Sequence, residues 1–267
     1  MLCKKIFFRT AIILLFLVAQ PVFSETATIH TIKSMQEIKA FIDKDTLILL
    51  DLDHTIFEGK NYGYGHANWF YDRIDKEKAA GIDEAITIRK IFPHWLHSQK
   101  NAEVKPVEPL TPSLIKQLQS EGYFVMGLTS RQVPLVDITI NHLKSIDVDF
   151  RSNKLPDETL NVSFNAPTQM KAGVLFCSEY NNKGEVLHAY FDNLNIAPKK
   201  ILIVDDGMRN IQSIIQSYSH EAKVTGAYYP LVAEYKKQYW DPEYAHKSYY
   251  QAYVDNVELH RYPLEEN

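Results

Sequence analysis

The feature that most constrains the fold is a run of five uncharged residues, Thr46 to Leu50, that leads directly into Asp51 and Asp53. A short and almost wholly apolar run of this kind is typical of a strand buried on both faces, as in the centre of a parallel sheet. The two carboxylates then lie at the C-terminal end of that strand, where open α/β sheets carry their binding sites. Because a buried carboxylate without a partner is costly, the pair predicts a bound cation, a proton relay or both.

Two later apolar segments end in the same way. The segment 123–128 runs into Thr129, Ser130 and Arg131, and the segment 200–204 runs into Asp205 and Asp206. Strands that alternate with helices predict an α/β fold with a doubly wound parallel sheet. The other predicted elements are helices at about 34–43, 112–121, 134–145, 182–194, 208–218 and 235–254, and strands near 148–150, 160–164, 172–177 and 222–228.

Between the first strand and the next regular unit lies a long polar and aromatic segment, at about 58–109. A stretch of this length is rarely a plain loop inside a compact domain. Helical spacing over 68–80 and 83–97 predicts a small, mainly helical cap inserted into a main domain that spans 25–267.

Residues 1–24 combine three basic residues, an apolar stretch over 11–19 and a small-residue end at Ser24. This pattern predicts a cleavable signal peptide and export to the periplasm or beyond, and the apolar stretch is too short for a permanent membrane anchor. Cleavage leaves 26 of the 29 basic residues against 33 acidic ones, a formal charge of −7. That charge disfavours binding to nucleic acid or to anionic membranes.

A parallel sheet brings the ends of the three apolar strands to one edge. Asp51, Asp53 and Asp205 would offer hard oxygen ligands, which suit Mg²⁺. The hydroxyl of Thr129 and the backbone N–H groups that follow it would hold anionic oxygens near a helix N-terminus. Phosphoryl transfer needs little beyond such positioning, charge neutralisation and a nucleophile.

The ordered set Asp51-Leu52-Asp53-His54-Thr55, Leu128-Thr129-Ser130, a lysine and Val204-Asp205-Asp206 resembles the haloacid dehalogenase (HAD) superfamily. The resemblance covers about residues 46–228. It implies a HAD-like, Rossmann-type fold and a Mg²⁺-dependent phosphatase. The implied substrate is a small-molecule phosphomonoester, hydrolysed through an aspartyl-phosphate intermediate.

The resemblance also implies a role for each matching residue. Asp51 is then the nucleophile, Asp53 the general acid and base, and Lys183 a third catalytic group. The implied phosphate-binding residues are Thr129, Ser130 and Lys183. The implied metal ligands are Asp51, Asp53, Asp205 and Asp206. The sequence leaves open which member of the 205–206 doublet binds the metal directly.

The sequence leaves the roles of several residues open. Lys183 is favoured as the motif lysine because it opens a predicted helix 22 residues before Asp205, with Lys171, Lys199 and Lys200 as competitors. His54 is expected to point across the strand, away from the carboxylates. Arg131 is expected either to bind a substrate anion or to cap the adjacent helix.

Two other functions fit the same sequence. The aromatic insertion and the Tyr-rich tail after Tyr235 are compatible with a secreted, HAD-shaped protein that binds a protein partner. A phosphotransferase that uses an alcohol acceptor in place of water would require the same motif residues.

Overall fold

The computed structural model describes residues 27–159, 163–262 and 264, so the predicted signal peptide lies outside the described residues. The strands are β1 (Thr28–Thr31), β2 (Thr46–Leu50), β3 (Phe57–Gly59), β4 (Val104–Pro106), β5 (Phe124–Thr129), β6 (Glu158–Thr159), β7 (Gln169–Lys171), β8 (Val174–Phe176), β9 (Lys200–Asp205) and β10 (Lys223–Tyr228). The α-helices are α1 (Ala67–Ala79), α2 (Glu84–Asn101), α3 (Thr111–Ser120), α4 (Val136–Ser145), α5 (Lys183–Asn193), α6 (Met208–Tyr218), α7 (Leu231–Tyr239) and α8 (Pro242–Asp255).

Within the described residues, eight strands form one sheet in the order β1-β10-β9-β2-β5-β8-β7-β6. The pairs from β1 through β8 are parallel, and the β8-β7-β6 edge is antiparallel. β2 is fully buried between β9 and β5, as its continuous apolar run predicts. The expectation of an α/β fold with a doubly wound, mostly parallel sheet is therefore confirmed.

The alternation of side chains along β2 divides the core between the two faces of the sheet. Ile48 and Leu50 pack on the face covered by α3 and α4, whereas Leu47 and Leu49 pack on the face covered by α5 and α6. Both faces are closed by helices, so the functional groups of the sheet are left at its carboxyl edge.

The segment between β2 and α3 forms its own small unit. β3 and β4 pair antiparallel at its base, and α1 packs against α2 above them. A third apolar cluster fills this unit and includes Trp69 of α1, Trp95 of α2 and Tyr249 of α8. The C-terminal helix α8 thus covers the inserted helices, and much of the aromatic content of the insertion and tail is used in that packing.

The structure differs from several of the predicted secondary-structure elements. The predicted helix at 34–43 is a 3-10 helix over Met35–Phe41, although the capping box on Ser34 is present. Residues 148–150 form no strand, since β5 is already paired on both edges by β2 and β8. The predicted tail helix breaks before Pro242, where Asp241 caps α8.

Two predictions concern the small strands, with different outcomes. The second half of the predicted hairpin is present as β8, paired with β7 across a tight turn, whereas residues 160–162 lie outside the described part of the chain. The edge strand β1 was not predicted because its four residues are all exposed and carry no apolar run.

In the described ranges, no helix is both long and apolar enough to cross a membrane.

Close contact between α5 and α6 depends on Gly184. A Cβ atom at this position would collide with the backbone carbonyl oxygen of Ser213 on α6. The neighbouring residue is Lys183, so this contact also fixes where the lysine side chain begins.

We expect Gly184→Ala to destabilise the protein by about 1–3 kcal/mol, because α5 must move away from α6. Alanine inside a helix is otherwise stabilising relative to glycine, so the sign of the change is diagnostic. Urea unfolding measures it, with Glu185→Ala as the control at an exposed neighbouring position. A Gly184→Ala protein as stable as wild type would contradict the close approach.

Candidate active site

The carboxyl edge of the sheet brings together residues that are far apart in sequence. Leu50 pairs with Val204 on one side and with Gly127 on the other, so Asp51 lies level with Asp205. The N–H of Asp51 donates to the carbonyl of Val204 at 3.0 Å, which extends this register by one residue. Asp51 is 5% exposed and Asp205 is fully buried.

The ammonium group of Lys183 lies between these two carboxylates. Its Nζ atom is 2.6 Å from Oδ1 of Asp51 and 2.8 Å from Oδ2 of Asp205. Asn182 caps α5 by accepting hydrogen bonds from Gly184 and Glu185, and the lysine is the first residue of that helix. The structure therefore places Lys183 at the carboxylates, while Lys171 and Lys200 pair with Asp157 and Asp43 elsewhere.

Asp205 is held by more than the lysine. Its Oδ1 accepts from the N–H of Gly207 at 2.7 Å and from Nδ2 of Asn210 at 2.9 Å. Asp206 is more open, with 27% of its side chain exposed, and it lines the cleft above the sheet. The doublet thus divides into a buried, fully engaged member and a member that faces the cleft.

Negative charge exceeds positive charge in this cluster. Carboxylate oxygens of Asp51, Asp205 and Asp206 lie within 4.8 Å of one another. Burial raises the pKa of Asp51 well above its usual range, Lys183 opposes that rise, and the charges of Asp205 and Asp206 add to it. Burial also raises the pKa of Asp205, and the two carboxylates keep the pKa of Lys183 high despite its burial.

Asp53 belongs to a separate ion pair. Its two carboxylate oxygens accept from Nε and Nη2 of Arg131 at 2.7 and 2.9 Å, a bidentate arrangement. Burial opposes ionisation of Asp53, but Arg131 outweighs it and lowers the pKa of this carboxyl. Arg131 therefore does not cap its helix, and its contact with a substrate anion stays a prediction, since the residue lines the cleft while it pairs with Asp53. Of the four predicted metal ligands, Asp53 is the one whose carboxylate stands apart from the acidic cluster.

The predicted phosphate-binding residues lie beside the carboxylates. Thr129 is buried at the end of β5, and its hydroxyl accepts the N–H of Arg131 at 3.1 Å. Ser130 follows it at the mouth of the cleft. The cleft has an empty volume of about 510 Å³ that is open to solvent, and its other wall is aromatic, with Phe70, Tyr71, Phe92 and Trp95 from the inserted helices.

The expectation for His54 is wrong. Its backbone has φ 61°, so the strand alternation stops there and the chain turns. The imidazole Nδ1 lies 3.4 Å from Oδ2 of Asp206, at the rim of the acidic cluster. A left-handed residue in the turn that follows a strand cannot be deduced from side-chain alternation, which assumes that the extended backbone continues.

The acidic cluster suits a divalent cation. It offers several carboxylate oxygens within a small radius, and hard oxygen donors are the ligands that Mg²⁺ and Ca²⁺ take in proteins. Burial raises the pKa of Asp51, and the negative charges of Asp205 and Asp206 add to that rise, so a cation bound here would relieve an electrostatic cost. The donors that fit this group are Asp51, Asp205 and Asp206.

Fold and site together define an α/β protein with a buried lysine–carboxylate cluster at the carboxyl edge of its sheet. The chain belongs to the family described as "Protein of unknown function (DUF2608)", whose model matches residues 31–258.

Relatives are found in Chlamydia. A protein of Chlamydia trachomatis serovar D named "Putative outer membrane protein" is 30% identical over 75% of this chain and 76% of its own length. A protein of the same name from Chlamydia muridarum is 29% identical over 74% and 75% of the two chains.

Two solved structures are similar at low identity. One is a haloacid dehalogenase-like family hydrolase from Streptococcus pneumoniae, with a TM-score of 0.41, 13% identity and coverage of 72% of this chain and 98% of that one. The other is a class C acid phosphatase from Bacillus anthracis, with a TM-score of 0.35, 12% identity and coverage of 82% of each chain.

We expect MgCl₂ to raise the thermal unfolding midpoint relative to EDTA, since a ligand that binds only the folded state stabilises it. At one hundred times the dissociation constant the gain is about 2.7 kcal/mol. Asp206→Asn should remove most of the shift, whereas Asp137→Asn, at an exposed position on α4, should keep it. An equal shift in wild type and Asp206→Asn would place the cation elsewhere.

Proposed function

We propose that this protein is an exported, Mg²⁺-dependent phosphatase of the HAD type that hydrolyses a small-molecule phosphomonoester. The observation that carries the proposal is the contact of one buried ammonium, that of Lys183, with both Asp51 and Asp205. These three groups belong to three separate sequence motifs, whose order along the chain resembles that of the HAD superfamily. A charge cluster built from all three is expected of an active site and is expensive as a purely structural device.

Each residue has a role in this reaction. Lys183, Thr129 and Ser130 hold the phosphoryl oxygens. Asp51, Asp205 and Asp206 would hold Mg²⁺, which would neutralise negative charge on the phosphoryl group. A carboxylate oxygen of Asp51 attacks phosphorus, and the bond from phosphorus to the ester oxygen breaks.

Proton transfers complete the cycle. Asp53 gives its proton to the departing ester oxygen, which leaves as the alcohol. It then takes a proton from water as that water attacks phosphorus, and the bond between phosphorus and Asp51 breaks. Inorganic phosphate is released and both carboxyl groups return to their starting states. Without a cation, burial raises the pKa of Asp51 and Arg131 lowers the pKa of Asp53, so the proposed roles require that a bound cation ionise Asp51 and that Asp53 take up a proton before it acts as the acid.

The inserted segment acts as a cap in this proposal. Its helices contribute the aromatic wall of the cleft, opposite the sheet residues that carry out the reaction. Export is supported by the basic and apolar character of residues 1–24 and by relatives that are named as outer membrane proteins.

Asp51→Asn should reduce hydrolysis of 4-nitrophenyl phosphate by at least about 10³-fold, because the amide cannot form the acyl-phosphate bond. The release of nitrophenol, followed with and without Mg²⁺, measures the loss. Asp192→Asn is the matched control, since Asp192 is an exposed carboxylate paired with His188 on α5.

Two results would contradict the mechanism. One is undiminished hydrolysis by Asp51→Asn. The other is a wild-type protein that is folded and loaded with Mg²⁺ yet inert across a broad panel of phosphate esters. Appearance of a phosphorylated alcohol when glycerol is added would assign the same intermediate to a phosphotransferase.

A further inference from the structure

Gln99 joins the inserted segment to the ion pair of Asp53. It lies in the last turn of α2 and is 1% exposed. Its Oε1 accepts from Nη2 of Arg131 at 2.9 Å, and its Nε2 donates to the carbonyl of Gly65 at 2.8 Å. One buried amide therefore ties the end of α2, the turn before α1 and the arginine together.

Each of the three nitrogen atoms of the Arg131 guanidinium has a hydrogen-bond partner. Nε and Nη2 bind Asp53, Nη2 also binds Gln99, and Nη1 donates to the hydroxyl of Thr139 on α4 at 3.1 Å. The guanidinium carbon lies 5.0 Å from the centre of the Phe57 ring. A planar fork with this many fixed partners has one orientation available, and that orientation sets where the carboxylate of Asp53 lies.

Gln99 is suited to this task by its neutral side chain. A carboxylate at the same position would compete with Asp53 for the arginine, whereas an amide oxygen accepts a hydrogen bond without a charge. Because Gln99 belongs to α2 and contacts Arg131, a shift of α2 would move the arginine and with it the carboxylate of Asp53.

We propose that Gln99 is a positioning residue through which the inserted segment fixes Asp53, acting by way of Arg131. The inference rests on the proposed function, in which Asp53 protonates the leaving oxygen. Misplacement of a catalytic group by about 1 Å is costly in rate, so loss of the Gln99 contact should weaken the contribution of Asp53 even with the ion pair intact.

The leaving group of the substrate provides the readout. An alkoxide is a poor leaving group and depends on proton donation, whereas 4-nitrophenolate departs with little help from an acid. A defect in the position of Asp53 should therefore be large for an alkyl phosphate and small for 4-nitrophenyl phosphate. A general loss of stability or of metal binding would lower both rates alike.

The experiment compares wild type with Gln99→Leu on glycerol phosphate and on 4-nitrophenyl phosphate, in the full mature chain with Mg²⁺. We expect kcat to fall by about tenfold on the alkyl ester and by less than about threefold on the aryl ester, with KM little changed. Gln119→Leu on α3 is the matched control, since the Gln119 amide donates to a backbone carbonyl, that of Asp149.

A double-mutant cycle tests the route through Asp53. In an Asp53→Asn background, Gln99→Leu should cause little further loss on the alkyl ester, where it costs about tenfold in the wild-type background, because the group it positions is already disabled. Should Gln99→Leu not fold, Gln99→Met replaces it, because the unbranched Met side chain also removes the hydrogen bonds to Arg131 and Gly65 and should give the same selective loss.

The outcomes separate the inference from the proposed function. Equal losses on the two esters, or a full additional loss in the Asp53→Asn background, would overturn the role of Gln99 while the phosphatase assignment stood. Absence of hydrolysis by wild type on both esters would overturn the phosphatase assignment and the inference together.

Discussion

The structure depends on one buried ammonium group. Three carboxylates at the end of a buried sheet edge would be prohibitive without a cation, and Lys183 supplies a positive charge in direct contact with Asp51 and Asp205. Lys183 reaches this position because it is the first residue of α5, and α5 packs closely on α6 at Gly184. The close packing of α5 on α6 therefore places the positive charge that allows acidic residues at the ends of both β2 and β9.

A second ion pair gives the two carboxylates of the first motif different environments. Asp51 and Asp53 are two residues apart, yet Asp51 belongs to the lysine cluster and Asp53 to Arg131. After Asp51 the chain turns, and the carbonyl of Leu52 accepts from the N–H groups of Ile56 and Phe57 at 2.9 and 3.0 Å. Burial and like charges raise the pKa of Asp51, whereas the guanidinium lowers the pKa of Asp53. These directions describe the site without a cation, and a divalent cation on the acidic cluster would favour the ionised form of Asp51.

The sequence predicts the sheet and much of the site because both depend on regular spacing. Apolar strands that end in polar residues must meet at one edge, and a lysine at a helix start faces that edge. The partner of Arg131 could not be predicted in this way, since its contact with Asp53 crosses two loops whose directions have no periodic signal. The packing of α8 could not be predicted either. Aromatic residues such as Tyr249 indicate that the helix has a buried face, but the sequence does not show that this face packs against the inserted helices.

The charges of the cleft bear on what it can accept. Lys183 and Arg131 are the cationic side chains that line it in the described part of the chain, and carboxylates already engage both. A phosphate dianion that approached these groups alone would meet an excess of negative charge, because the one ammonium of Lys183 is shared between Asp51 and Asp205 while Asp206 lies beside them. A divalent cation held by the acidic cluster would change that balance, because it would add two positive charges to the site. The side chains are thus arranged so that the site becomes attractive to an anion once the cation is in place.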